Sequence, residues 1–360
     1  MLKTPLNEEH IRVGARMIDF FGFHMPVMYS TIIDEVACVR ERVGLFDLTH
    51  MGRIEVAGPE REDVVKAAVT KNVKAVPKWA ARYGLLLAED GGIKDDVLIY
   101  REDEMVHVVV NCANRAGDLA HFKEHAEGRD VEIRHVSDEQ AMIALQGPKS
   151  EATLQPLTDL DLSELGYYRF TRGRVGGFDA VVSRTGYTGE DGFELFVAPE
   201  AGVPIWQGLH EHGAEHGVQP IGLGARDVLR LEAAMPLYGQ ELSLETNPIE
   251  ADVEFGLSMK SEFTGKAALL KVREAGLTRK RIGFTVDGKR IPRTGAQIVS
   301  GDAVIGQVTS GTFSPTLGKT IGMGYVPIEM ATVGTSIEVD MKGKRLPITV
   351  VEMPFYKRER

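Results

Sequence analysis

The chain has 360 residues, 43% of them hydrophobic and 26% charged, with a formal net charge of −10. That length exceeds one ordinary core, so two or three domains are expected, and the composition is that of a soluble globular protein, neither disordered nor membrane-bound. An acidic balance without a long basic stretch argues against nucleic acid as a partner, and no apolar run approaches the ~20 residues that span a bilayer.

In chain order, an amphipathic helix is predicted over about Asn7 to Phe20, after Pro5. A second helix, about Thr31 to Val43, places Ile33, Val36, Ala37 and Val43 at helical spacing and ends before Gly44. GRIEVAGPE alternates like a strand and closes in a Gly-Pro turn, and ARYGLLLAEDGGIKDDVLIY reads as two strands joined at Asp90-Gly91-Gly92. Glycine supplies the positive φ angles of such a hairpin. MVHVVVN is a further strand and RAGDLAHFKEHA a helix. AMIALQGP, FDAVVSRTG and GFELFVA follow as strands, with helices over Val203 to Glu215 and Ala225 to Ala234. From about Arg281 the pattern changes to short glycine-punctuated strands, the signature of a small β-barrel or sandwich, with Lys271 to Lys280 as the expected linker. No fixed-period repeat or low-complexity tract is present.

The N-terminus lacks the apolar core and cleavage site of a signal peptide and is not an Arg/Ser-rich transit sequence. Cys38 and Cys112 are the only cysteines, too few for a disulfide framework or a cysteine-based zinc site, so a reducing cytoplasm is expected. Cys38 reads as packing in an apolar helix; Cys112 has no evident basic partner. The basic tail YKRER is short enough to be merely solvated.

Three motifs could carry chemistry. Asp95-Asp96 opens a strand beside the Gly91-Gly92 turn, where alternation lets only one carboxylate face inward. Such a group can accept a proton from an attacking nitrogen; the blander reading is a solvated turn. RTGYTGEDGFEL has three glycines at spacing three but a strand rather than a helix after them, which rules out a dinucleotide fingerprint. Glu194, between Phe193 and Leu195, is either on the solvent face, the default, or buried with partners. In GLGARDVLRLEAA a glycine-rich turn opens a helix with Asp227 as a possible cap, while Arg226 opposes the helix dipole and should have an acidic or acceptor partner. His212-Gly-Ala-Glu-His216 fits an H-x-x-E-H zinc pattern, but Gly213 and Gly217 weaken that helix and both histidines read as surface groups, leaving no metal site to expect.

Taken in order, these segments resemble the folate-dependent aminomethyltransferase family from one end to the other. The matching pieces include KTPLNEEHIRVGARMIDFFGFHMPVMY, GLFDLTHMGRIEVAGPE, GGIKDDVLIY, VVNCANRAGDLAHF, SRTGYTGEDGFEL, GLGARDVLRLEAAMPLYGQEL, TSGTFSPTLGKTIGMGYV and the closing PFY. The resemblance implies an α+β fold, a three-domain cloverleaf around a central folate channel. Its parts would be a discontinuous first domain (1–54 and 138–270), a ferredoxin-like second domain (55–137) and a C-terminal β-barrel (280–360). It implies transfer of an aminomethyl carbon from the lipoyl arm of H-protein to tetrahydrofolate, releasing ammonia and forming 5,10-methylene-tetrahydrofolate, in a cytoplasmic protein that is a monomer outside its complex. Asp96 would be the catalytic carboxylate, acting on the folate's aniline-type nitrogen. Glu194 would bind the pterin edge, Arg226 would donate to the pterin or neutralise Glu194, and Tyr83, Tyr100, Asn111, Tyr187 and Tyr238 would line the channel. Met51 would be a stacking contact and Arg358 a further contact near the C-terminus.

Three positions depart from the family pattern: Lys71-Asn72 where an acidic residue is usual, Phe23 for a tryptophan, and Lys357 for an arginine, with Arg358 adjacent. They bear on the one-carbon donor, and they keep a second reading open, a same-fold demethylase that moves methyl from a small donor to tetrahydrofolate. A third reading, a non-enzymatic folate-binding protein of iron–sulfur assembly, lacks its cysteine motif: the related region reads MKSEFTGKAAL.

Overall fold

The computed structural model describes residues 1–359. Three β assemblies organise it. A six-stranded sheet runs in the spatial order Phe170–Val175, Phe178–Ser183, Gly192–Val197, Ala141–Gln146, Gly44–Asp47 and Gln219–Pro220, antiparallel except at the last pair. A five-stranded antiparallel sheet runs Ala80–Leu87, Ile93–Arg101, Met105–Val110, Gly52–Ala57 and Glu132–His135. The C-terminal strands, Arg279–Val286 to Arg345–Val351, close into a six-stranded barrel, so the fold is the α+β one with a terminal barrel that the sequence predicts.

Side-chain alternation in the five-stranded sheet decides what faces what. Val97 and Ile99 pack with Val64, Val65, Ala68 and Phe122 of the helices Arg61–Ala68 and Arg115–His125. Leu98 and Tyr100, on the opposite face, pack with Phe46, Phe170 and Phe196 of the six-stranded sheet. Each such buried ring contributes roughly 1.5–3 kcal/mol, so the two sheets are held face to face by an aromatic seam. Asp96 shares the phase of Leu98 and Tyr100 and opens toward the six-stranded sheet; Asp95 shares the phase of Val97 and lies under the helices.

The hairpin turn forms where predicted, but its glycines do different work. Gly91 has φ +89°, whereas a Cβ on Gly92 would sit 2.2 Å from the Leu244 carbonyl oxygen. The second predicted helix is Ile32–Glu41, capped by Thr31, whose hydroxyl accepts from the Asp34 amide.

Two expectations fail. The first helix covers only Asn7–Arg12; Arg16–Phe20 is a strand paired with Phe23–Met28 across a Phe21-Gly22 turn in which both φ angles are positive. Gly14, at φ +82°, interrupts the helical run, and RMIDF carries its own two-residue period. The expected linker is mostly structured as well. The helix Lys266–Ala275 takes its first half and the first barrel strand begins at Arg279, leaving 276–278 as the connection.

Candidate active site

Asp96 sits in the strand Ile93–Arg101, opposite Leu85, with Tyr83 two residues along the neighbouring strand. Asn111 ends the strand on the other side. Together with Met51, Tyr100, Tyr187, Glu194, Arg226 and Tyr238 they line one cavity of about 530 Å³. Nine of the ten residues singled out from the sequence therefore converge, and the volume is that of a small-molecule site.

At one end lies the carboxylate pair. Asn111 Nδ2 donates to Asp95 Oδ1 and to Asp96 Oδ1, both at 2.8 Å. Asp95 is further fixed by the Asn111 amide at 3.0 Å and Asn114 Nδ2 at 2.9 Å. The expectation that one carboxylate faces inward holds, and the other is not solvated but buried beneath it. Asp96 opens to the cavity, yet protein atoms crowd it. Burial, then the neighbouring Asp95 charge, push its carboxyl up to about 7, against a smaller opposing effect of Asn111. It is therefore not the freely ionised group expected of an exposed turn but a carboxyl balanced near neutrality, where a general base is most effective. The Tyr83 hydroxyl is buried beside it without a well-formed hydrogen bond, and burial, then the charge and the close contact of the Asp96 carboxylate, raise that phenol.

At the other end, Glu194 is buried at 6% exposure rather than solvent-facing. Thr185 Oγ1 donates to its Oε2 at 2.5 Å and the Tyr100 hydroxyl at 3.4 Å; burial raises its pKa against these contacts and Arg226. The glycine loop makes this possible: a Cβ on Gly186 would lie 1.9 Å from Gln146 Oε1. Tyr187 in that loop donates its hydroxyl to the Pro236 carbonyl, which leaves its ring under the Arg226 guanidinium at 4.8 Å. Arg226 lies on the helix Leu223–Glu232, whose N-cap is Gly222; Asp227 is not the cap but an exposed partner of Arg230. No hydrogen-bond acceptor for Arg226 is found among the described residues: the Tyr187 ring lies beneath it, and Glu194 and His50 are near enough to feel its charge. A half-buried cation and a buried anion, each with open hydrogen-bonding capacity toward one cavity, fit a ligand edge presenting both acceptors and paired N–H donors.

Other expectations fall outside the cavity. Arg358 does not reach it: its guanidinium pairs with Asp191 at 3.2 Å and covers the Tyr167 ring. Lys71 Nζ donates to the Phe255 carbonyl at 2.8 Å and the Asn72 amide to Ser258, so neither lines the wall. Phe23 is buried under Arg115. His212 is exposed and His216 partly so, and among the described residues no group of three His, Cys, Asp or Glu is placed to hold a metal ion. Cys38 is core, as expected. Cys112 does have arginines near it, Arg115 and Arg53, but burial outweighs them and pushes the thiol up to about 11. Sequence reasoning missed Thr185, His50 and Tyr168, which bind Glu194 or line the wall. Thr185 and His50 lie inside motifs already quoted, but nothing in local pattern distinguishes them. A second cleft of about 580 Å³, rimmed by Glu55, Glu102, Arg172 and Asp179, shares only Tyr100 with the predicted set.

Residues 6–261 match the family model described as the GCVT N-terminal domain, and residues 279–357 that of the glycine cleavage T-protein C-terminal barrel domain. An aminomethyltransferase of Rubrobacter xylanophilus is 48% identical over 99% of this chain and 95% of that protein. One of Thermotoga neapolitana is 46% identical over 99% of this chain and 98% of its own. The crystal structure of glycine cleavage system aminomethyltransferase T from Bartonella henselae superposes with a TM-score of 0.93 at 31% identity, covering 99% of this chain and 98% of that one. With both halves matched in order and similarity running end to end, the chain belongs to the glycine cleavage T-protein family of aminomethyltransferases.

Proposed function

We propose that the cavity between the two sheets is where tetrahydrofolate takes up an aminomethyl carbon, with Asp96 as the base. The protein is an aminomethyltransferase. Its reaction moves the aminomethyl carbon from a lipoyl thioether to tetrahydrofolate, releases ammonia and forms 5,10-methylene-tetrahydrofolate. The observation that carries the assignment of parts is the split of charge along one cavity: a carboxyl poised near neutrality at one end, and an unpaired Glu194–Arg226 couple at the other.

In this reading Glu194 accepts from the two adjacent N–H groups of the pterin edge, a bidentate match, and Arg226 donates to the ring's acceptors. Tyr100 and Tyr187 supply apolar faces and hold Glu194 and Arg226 in place. The folate's aniline-type nitrogen then lies toward Asp96. As that nitrogen bonds to carbon it loses a proton, and ionised Asp96 takes it, oriented by Asn111. The donor is proposed to arrive on lipoylated H-protein, and the cytoplasm is the compartment that goes with such a partnership. No helix among the described residues is long and apolar enough to cross a membrane. A partition into 1–54 with 138–270, 55–137 and 280–360 is proposed on the same footing. The demethylase reading loses its motive, since Lys71, Asn72 and Phe23 lie away from the cavity wall, and the relatives matched end to end are aminomethyltransferases.

The test is an anaerobic assay with tetrahydrofolate and aminomethyl-loaded, lipoylated H-protein, following methylene-folate and ammonia together. Both products should appear, and Asp96→Asn should bind folate but fail to turn over. Folate binding with no ammonia from the native protein would refute the donor assignment.

A further inference from the structure

Asp95 and Asp96 do not stand alone. The helix Arg115–His125 runs over the face of the sheet on which Asp95 lies, and it sets Asp118 against the Asp95 carboxyl. Asp118 is 4% exposed, and its Oδ2 is buried with no N–H or O–H donor within reach. Asp95, fully buried, is by contrast supplied with three donors, the Asn111 amide, Asn111 Nδ2 and Asn114 Nδ2. Two carboxylates in buried contact cannot both be anions without large repulsion. The hydrogen-bond inventory says which one is charged. A carboxylate with three donors is stabilised as the anion, and one facing only another carboxylate is satisfied only as the acid, whose O–H has a ready acceptor.

We propose that Asp118 is a positioning residue of the transferase: as a carboxylic acid it donates to Asp95, and the resulting Asp118–Asp95–Asn111 chain orients the Asp96 carboxyl toward the cavity. Each contact has a defined direction. Asp118 O–H donates to Asp95, Asp95 accepts from the Asn111 side-chain amide, and the same amide donates to Asp96 Oδ1 at 2.8 Å. The other groups facing Asp118 leave this arrangement in place. Lys94, one residue before Asp95, has its Nζ 3.4 Å from His121 Nδ1, and His121 Nε2 is 2.8 Å from the Ala68 carbonyl. Asp96 adds negative charge, and Tyr238 lies near all three carboxyls. Consistent with this, burial first and Asp95 second push the Asp118 carboxyl up to about 10. The inference rests on Asp96 being the base, but its signature can be read without turnover.

The experiment pairs two substitutions. Infrared difference spectra of the folded protein with ¹³C-aspartate, at mildly alkaline pH, should show a protonated-carboxyl C=O band that disappears in Asp118→Asn. Because asparagine keeps a neutral donor toward Asp95, Asp118→Asn should retain kcat within about threefold and leave the acid limb of the pH profile near its native position. Asp118→Leu removes one donor to Asp95 and puts apolar atoms in its place, which raises the Asp95 carboxyl further against its three remaining donors and lets it take up a proton from solvent. Turnover should then fall about tenfold or more with little change in KM for tetrahydrofolate, and the acid limb should move to lower pH as Asp96 loses its charged neighbour. Absence of the band in the native protein would overturn the proposal. So would equal behaviour of the Asn and Leu variants, or an unmoved pH profile in both. If instead Asp96→Asn were fully active while the band persisted, the protonation of Asp118 would stand and the reading of Asp96 would fall.

Discussion

Arg226 and Arg230 lie one turn apart on the same helix and have opposite surroundings. Arg230, 1% exposed, is bound by Asp227, by Glu241 at 2.8 Å and by the Ser310 hydroxyl of the barrel. Arg40 nearby is treated the same way, bonded to Glu232, Glu190 and the Thr188 carbonyl. These pairs close on themselves: Arg230 ties the helix Leu223–Glu232 to the barrel, and Arg40 ties the helix Ile32–Glu41 to that helix and to the glycine loop. Arg226 has an aromatic ring beneath it and, among the described residues, no hydrogen-bonded acid, with Glu194 and His50 near enough to feel its charge. A buried charge that is fully paired belongs to the architecture; one left open toward a cavity keeps its capacity for a ligand. The same contrast separates Asp95, with three donors, from Asp96, with one side-chain donor.

The largest effect should come from the open group that acts on the reacting atoms. Asp96→Asn should lower turnover by ~10²–10⁴-fold while folate still binds, measured as methylene-folate formation. Native-like turnover would put the base elsewhere. Next, Arg230→Met leaves Glu241 buried without its cation and should cost on the order of 3–5 kcal/mol in urea denaturation. Arg226→Met should do the reverse. It removes a desolvated, unpaired cation and so should leave stability unchanged or raise it by up to about 1 kcal/mol, while weakening tetrahydrofolate binding roughly 10- to 100-fold. If both arginines destabilised alike, the distinction between architectural and functional charge would collapse.

A finer test uses pH. Asp96 is raised in the folded protein from 3.8 to about 7. Between those values the native carboxyl is protonated and the unfolded one ionised, so this group costs stability progressively as pH rises, in full above about 7. Asp96→Asn should therefore match the native protein in acid and exceed it at mildly alkaline pH, by on the order of 1–3 kcal/mol. Activity should run the other way, falling as pH drops through about 7. A thermal-melt difference independent of pH would mean that Asp96 is unperturbed. The smallest change is expected at Tyr83, whose hydroxyl lies beside Asp96 without a well-formed hydrogen bond among the described residues. Tyr83→Phe should leave stability within about 0.5 kcal/mol, with any loss confined to kinetics. A clear loss of stability would reveal a structural bond.

Much of this site was legible because its motifs are local: Asp95-Asp96 next to a hairpin turn, Glu194 after a glycine loop, Arg226 at a helix start. Arg358 was the exception, since adjacency to the closing PFY says nothing about where a terminal segment docks. Its guanidinium ends at Asp191. Asp118 was invisible for a related reason. In sequence it is one polar residue on an amphipathic helix, and only docking of that helix on the sheet brings it to Asp95.

The sequence by itself determined the alternating strands, the barrel, the hairpin and the identity of the chemistry-bearing side chains, because period, turn residues and motif spacing are properties of neighbouring residues. The tertiary structure alone decided their ionisation and partnership. Glu194 reads as solvent-facing until the five-stranded sheet covers it, and Asp96 reads as an ordinary anion until Asp95 and the surrounding wall raise it. Desolvation and Coulomb interaction depend on what chain segments far apart in sequence bring within a few ångströms, and no local pattern encodes that distance.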